Sequence, residues 1–126
     1  MKTLSLSALL LLVGSINAVA ADPAEGKALY QSTCQTCHGE SGGGDGPGID
    51  DALLKPRAFA LAAYKFDTDA DWSRGTDADL ANVIRNGPQT YGGSYLMPPW
   101  PGLSDEQINN LVAFIRTLEQ PAQRAP

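Results

Sequence analysis

Residues 34–38 read Cys34-Gln35-Thr36-Cys37-His38, and they contain both cysteines and the sole histidine of a 126-residue chain. On a helix, Cys34 and Cys37 lie three positions apart and share a face. His38 is four positions from Cys34 and leaves the same face. Two thiols and an imidazole on one side of one turn form the attachment pattern of a c-type haem. Each sulfur can add to one vinyl group of the porphyrin, and the imidazole nitrogen can be aimed at the iron. Three other readings compete. A thioredoxin-like redox pair needs a βαβ context, which the sequence lacks. A zinc site needs a further ligand, normally from a second Cys/His cluster, and there is none. A chance match, or a simple disulfide, is the third.

The start of the chain bears on this choice. Lys2 is followed by a mainly apolar stretch over residues 4–16, and then by Ala18-Val19-Ala20, an A-x-A cleavage pattern. This predicts a secretory signal peptide over residues 1–21, cut after Ala20 or Ala21. The alternative is an uncleaved anchor, but the run is shorter than the roughly 20 residues a spanning helix needs. The domain proper is then 22–126, exported and periplasmic. An exported protein whose two cysteines are spent on a cofactor has no need of a disulfide framework.

The remaining sequence predicts helices separated by long loops. Asp22-Pro23-Ala24-Glu25 supplies a cap, a proline at the first helical position and a first-turn acid, and predicts a helix running to about Thr36. Residues 40–50 carry Gly42-Gly43-Gly44-Asp45-Gly46-Pro47-Gly48 and must be loop. Pro56 interrupts the next stretch, with a short helix over 58–64. Thr76-Asp77-Ala78-Asp79 starts another helix, with Leu80, Val83 and Ile84 on one face, closed by Asn86-Gly87-Pro88. Residues 89–102 read as loop. Ser104-Asp105-Glu106-Gln107 is a capping box ahead of Ile108, Leu111, Val112, Ile115 and Leu118 at helical spacing. Three or four helices over so short a chain make a poor core, and a large apolar cofactor would complete it.

An iron held by His38 has a second axial position. No other histidine exists, so two-histidine ligation within one chain is excluded. Beyond the initiator, Met97 is the sole methionine, in the stiff loop segment Tyr95-Leu96-Met97-Pro98-Pro99-Trp100. A lone methionine is usually core filler. A Gly/Pro-rich loop, however, suits a ligand laid against an open haem face, and Met97 is the expected sixth ligand. An open position, or a lysine or tyrosine, is the alternative.

Taken together, these segments resemble class I c-type cytochromes of the bacterial single-haem kind over nearly all of residues 22–120. Gly26 and Tyr30 precede the Cys34–His38 motif and Gly39, a loop ending Asp45-Gly46-Pro47 follows, then Met97-Pro98 and a terminal helix through Phe114. The resemblance implies an all-α cytochrome c fold around one covalently bound haem c, with the first and last helices crossing where Gly26 faces Phe114. It also implies that the Pro47 carbonyl accepts the His38 N–H. Arg57, Trp72 and Trp100 are candidate partners for the haem propionates.

The function implied is that of a one-electron carrier, not an enzyme, working as a monomer between a donor and an acceptor redox protein. A fixed haem subunit of a dehydrogenase or terminal oxidase is one alternative; an open-iron haem enzyme or gas sensor is another. A net charge of −5 and a pI near 4.6 argue against nucleic acid or an anionic membrane surface as partner. No second long apolar run follows the first, so stable membrane insertion is not expected once the signal peptide is removed. Asp67, Asp69, Asp71, Asp77 and Asp79 form an acidic run, read as a solvated face or as a docking patch for a basic partner.

Overall fold

The structure is a computed structural model that describes residues 19–49 and 55–120. The signal-peptide expectation therefore falls largely outside the described residues. Among the described residues four α-helices appear in order: α1 (Pro23–Thr33), α2 (Gln35–His38), α3 (Asp77–Asn86) and α4 (Asp105–Thr117). Single 3₁₀ turns occupy Phe59–Leu61 and Pro88–Tyr91. No strand occurs among the described residues.

The helices begin where the sequence places their caps. Asp22 accepts from the Ala24 N–H at the start of α1. Thr76 with Asp79, and Ser104 with Gln107, form reciprocal capping boxes at α3 and α4. The first helix is the exception. In place of one helix to Thr36, the chain breaks at Cys34 and restarts as the short α2. Both Ser32 and Thr33 turn their hydroxyls back onto the Leu29 carbonyl, a local bond that competes with the helical ladder and bends it.

The core is the seam between α1 and α4. Tyr30, Ile108, Leu111, Val112, Phe114 and Ile115 are buried there, and Leu80 and Ile84 of α3 close it from one side. The crossing rests on Gly26. A Cβ at that position would lie 2.5 Å from the Asn110 carbonyl carbon, closer still to its oxygen, and 3.0 Å from Phe114 Cβ. Only the absence of a side chain lets the helices approach this closely, which explains a glycine inside a helix where it costs up to about 1 kcal/mol. Tyr30 packs against Phe114, with ring centroids 5.0 Å apart and planes tilted by 57°, and donates from its hydroxyl to the Gly39 carbonyl at 2.7 Å. That one residue thus ties the α1–α4 seam to the end of α2.

Candidate haem site

A cavity of about 300 Å³ lies beside this core, within the size range of cofactor sites. Cys34, Cys37, His38 and Met97 all line it, together with Phe59 and Trp100. The two thiols are free and half-buried. They come from opposite ends of the turn that the break at Cys34 creates, and the His38 ring enters from the last residue of α2.

The loop after α2 is fastened to it. Gly44 N–H donates to the His38 carbonyl, Gly46 N–H to Cys37 and Gly48 N–H to Thr36, at 2.7–3.2 Å. These bonds satisfy carbonyls that a four-residue helix leaves without partners, and they fix the glycine-rich segment against the motif. The loop carrying Met97 is fastened to α3 by the Trp100 N–H, which donates to the Ile84 carbonyl at 3.0 Å, and is held within itself by the Leu96 N–H, which donates to Ser94 Oγ at 3.1 Å. Met97 packs half-buried against the core cluster.

Burial sets the chemistry of these groups. It pushes the His38 imidazole down to about 4, so the ring is neutral at physiological pH and keeps a lone pair for a metal. It pushes the Cys34 thiol up, an effect opposed by the Thr33 hydroxyl and reinforced by Cys37. The donor atoms do not converge as they would around a single ion. Among the described residues, the one group of three donors within 4.8 Å of one another is Asp67, Asp69 and Asp71. Two thiols and an imidazole spread along the wall of an apolar cavity fit a wide planar macrocycle and do not fit zinc.

Several site expectations need correction. Among the described residues His38 Nδ1 is buried without a hydrogen-bond partner, and no bond from it to the Pro47 carbonyl is formed. The bonds of Gly46 and Gly48 hold the loop to the backbone of α2 and leave the imidazole alone. Trp72 is 95% exposed, with a left-handed φ of 71°, and is not part of the cavity wall. Arg57 and Trp100 do line the cavity, and Arg57 Nη1 donates to the Ala63 carbonyl at 3.0 Å.

The acidic run is not one solvated face. Asp79 is only 1% exposed and lines the cavity. Burial pushes its carboxyl up, but donors from the backbone and hydroxyl of Thr68 and of Thr76 outweigh that and hold it at about 2. Asp77 pairs with Arg116 on α4. Sequence reasoning also missed Phe59, whose ring lies flat against His38 with centroids 5.0 Å apart and planes 9° apart.

Helices crossing at a glycine, a Cys34–Cys37–His38 turn and a methionine loop around one apolar cavity define a c-type cytochrome. The chain belongs to that family: it matches the family described as cytochrome c oxidase, cbb3-type, subunit III, over residues 21–115. It is 31% identical over 101 residues to cytochrome c-554(547) of Halothiobacillus neapolitanus, a match covering 79% of this chain and all of the relative. It also resembles a chain of the reducing HAO-like protein complex of Kuenenia stuttgartiensis, with 38% identity and a TM-score of 0.66 over 88% of this chain. This chain accounts for 49% of that larger one. The all-α cytochrome c fold, covalently bound haem c as cofactor and the carriage of electrons between redox partners follow from this membership. No helix among the described residues is long and apolar enough to cross a membrane.

Proposed function

We propose that the chain is an exported, monomeric single-haem electron carrier in which Cys34 and Cys37 tether the haem, His38 is the proximal iron ligand and Met97 the distal one. The observation that carries this reading is that these four side chains line the same apolar cavity. Addition of each thiol S–H across a vinyl group forms a C–S bond and leaves the hydrogen on carbon, so attachment consumes no oxidant. Bound haem supplies the one-electron chemistry, its iron alternating between ferric and ferrous.

The polypeptide's part is to hold the ligands still. The neutral His38 offers a lone pair from one side. The Met97 thioether, a soft and uncharged donor, favours the ferrous state and raises the potential relative to a second histidine. The Trp100–Ile84 bond and the paired prolines Pro98 and Pro99 restrain its loop. With His38 and Met97 both holding the iron, no position would remain open for oxygen or peroxide, which suits a carrier and argues against catalysis. The apolar run and A-x-A pattern of residues 1–21 support export to the periplasm, with the mature chain starting after Ala20 or Ala21.

A second reading makes the protein a fixed haem subunit. The matched family is described as an oxidase subunit and the structural neighbour is part of a complex. Both readings predict the same ligands, and co-purification from the native membrane fraction separates them. The ligation itself is tested by spectroscopy. The oxidised protein should show a weak far-red sulfur-to-iron band, and the reduced protein should bind carbon monoxide slowly or not at all at neutral pH. Met97→Ala should abolish the band, lower the potential and open the iron to carbon monoxide. A band that survives the substitution unchanged would remove Met97 from the iron.

A further inference from the structure

Asp79 is the one charged side chain of α3 that lines the cavity shared by His38 and Met97, where Leu80, Val83 and Ile84 are its companions from the same helix. It is 1% exposed. A buried charge is costly unless something compensates it, and none of the ion pairs among the described residues involves Asp79. Helix capping accounts for only one of its oxygens. Oδ2 accepts from the N–H and the hydroxyl of Thr76, each at 2.9 Å. Oδ1 accepts from the N–H and the hydroxyl of Thr68, the latter at 2.7 Å. Thr68 belongs to the preceding loop, and a capping box does not require it.

The direction of these bonds fixes the state of the carboxyl. The two amide donors cannot reverse. Each hydroxyl already accepts an N–H of its own: Thr76 Oγ1 from the Asp79 backbone at 3.1 Å, and Thr68 Oγ1 from Asn82 Nδ2 at 2.9 Å. Each therefore has its single proton free for the carboxylate. With one N–H and one O–H on each oxygen, the group accepts throughout and carries a full negative charge. Its place in the first turn of α3 favours that charge too. The donors disperse the charge without cancelling it. The cations on the same cavity wall, Lys55, Arg57 and Lys65, are exposed, so water and salt screen them. A buried charge is screened much less.

We infer that the Asp79 carboxylate is a fixed charge that lowers the reduction potential of the bound haem, holding it below the value that the axial ligands alone would give. The inference rests on the reading that places the haem in this cavity. Reduction adds one electron to the haem, and a negative charge in the same apolar surroundings opposes that addition by direct repulsion. Charge and burial around a haem tune its potential alongside the identity of the ligands. Met97 and Asp79 thus act in opposite directions, the thioether favouring the ferrous state and the carboxylate the ferric. Thr68 adjusts the balance, because its two donors neutralise part of the charge.

The test is a redox titration of holoprotein matured with its haem, comparing the wild type with Asp79→Asn and Thr68→Val. Asp79→Asn removes the charge and should shift the midpoint potential upward, read as a several-fold higher ferrous-to-ferric ratio at a fixed ambient potential. Thr68→Val removes one hydroxyl donor and keeps the carboxylate, now less neutralised, and should shift the potential downward. Both should lower the guanidinium midpoint, since both break the same hydrogen-bonded cluster. A purely structural Asp79 would move the two potentials in one direction or leave both alone, so opposite signs mark the charge. An asparagine variant with a wild-type or lower potential overturns the inference. So does a valine variant whose potential is unchanged or raised, and that result decides the matter even where the asparagine variant does not mature. Wild-type protein without the far-red band would strike Met97 as ligand, a separate result that leaves the two shifts as the measure of Asp79.

Discussion

Replacing Gly26 by alanine sets two effects against each other. Helix propensity favours alanine by about 1 kcal/mol, chiefly because glycine loses more backbone freedom on folding. Packing opposes it. The new methyl carbon would lie 2.5 Å from the Asn110 carbonyl carbon and 3.0 Å from Phe114 Cβ. The first neighbour is backbone, which cannot swing aside as the end of a long side chain can. The helices would have to part by about 1 Å, opening a seam whose other members are almost fully buried, and overpacking of this kind costs about 1–3 kcal/mol or more. Moving α4 also disturbs the Asp22 N–H bond to Asn110 Oδ1, which spans the same crossing at 2.7 Å. Because the clash is with backbone, the packing loss falls in the upper part of that range, about 2–3 kcal/mol, and Gly26→Ala should be destabilising by about 1–2 kcal/mol net. For a domain of this size that lowers Tm by about 5–15 °C. Thermal unfolding of the holoprotein, followed by far-UV circular dichroism, measures it. A variant as stable as the parent or more so would refute the close crossing of α1 and α4.

Three further substitutions probe the surroundings of the site. Tyr30→Phe removes the donor to the Gly39 carbonyl from a residue that is 1% exposed. The Gly39 carbonyl keeps the Gly42 N–H at 3.2 Å, so the loss is that of one hydrogen bond, about 0.5–1.5 kcal/mol, visible as a lower guanidinium midpoint with an unchanged slope. Asp79→Asn turns an amide donor toward hydroxyl and N–H donors and should cost about 1–3 kcal/mol near neutral pH. The carboxyl titrates at about 2 when folded against 3.8 in a free chain. Its contribution is therefore complete above about pH 4 and is lost as pH falls toward 2. Stability measured against pH should show the two proteins converging over that range, and a constant gap would contradict the ionised, hydrogen-bonded carboxylate. Trp72→Ala, at the most exposed large hydrophobic side chain among the described residues, should shift stability by less than about 0.5 kcal/mol and leave the visible spectrum unchanged.

What was legible in the sequence was mostly local. The caps at Asp22, Thr76 and Ser104 mark helix starts because each bonds its own first turn, within three residues. The motif and the single methionine identify donors because so few soft or imidazole ligands are present. Gly26 and Phe114 were found through resemblance, and the close approach of the two helices supplies the physical reason. What escaped was contact between distant segments. Asp79 looks like one acid in a run, yet Thr68, eleven positions earlier, folds over it. Phe59 reaches His38 across the glycine-rich loop, and no spacing rule links an aromatic residue to a histidine twenty-one positions away. The break at Cys34 did have a local signal, the Ser32-Thr33 pair, whose hydroxyls compete with the helix for the Leu29 carbonyl.

The central claim is that one haem is bound covalently to Cys34 and Cys37 and ligated by His38 and Met97. Intact-mass measurement of the mature protein, made in a host able to attach haem, tests its foundation most directly. The expected mass is the chain from about Asp22 plus one haem, unchanged by denaturants, and the Cys34→Ala, Cys37→Ala double variant should lack the added mass. Colourless protein at the bare mass of the processed chain, or a haem that denaturant alone strips away, would contradict it.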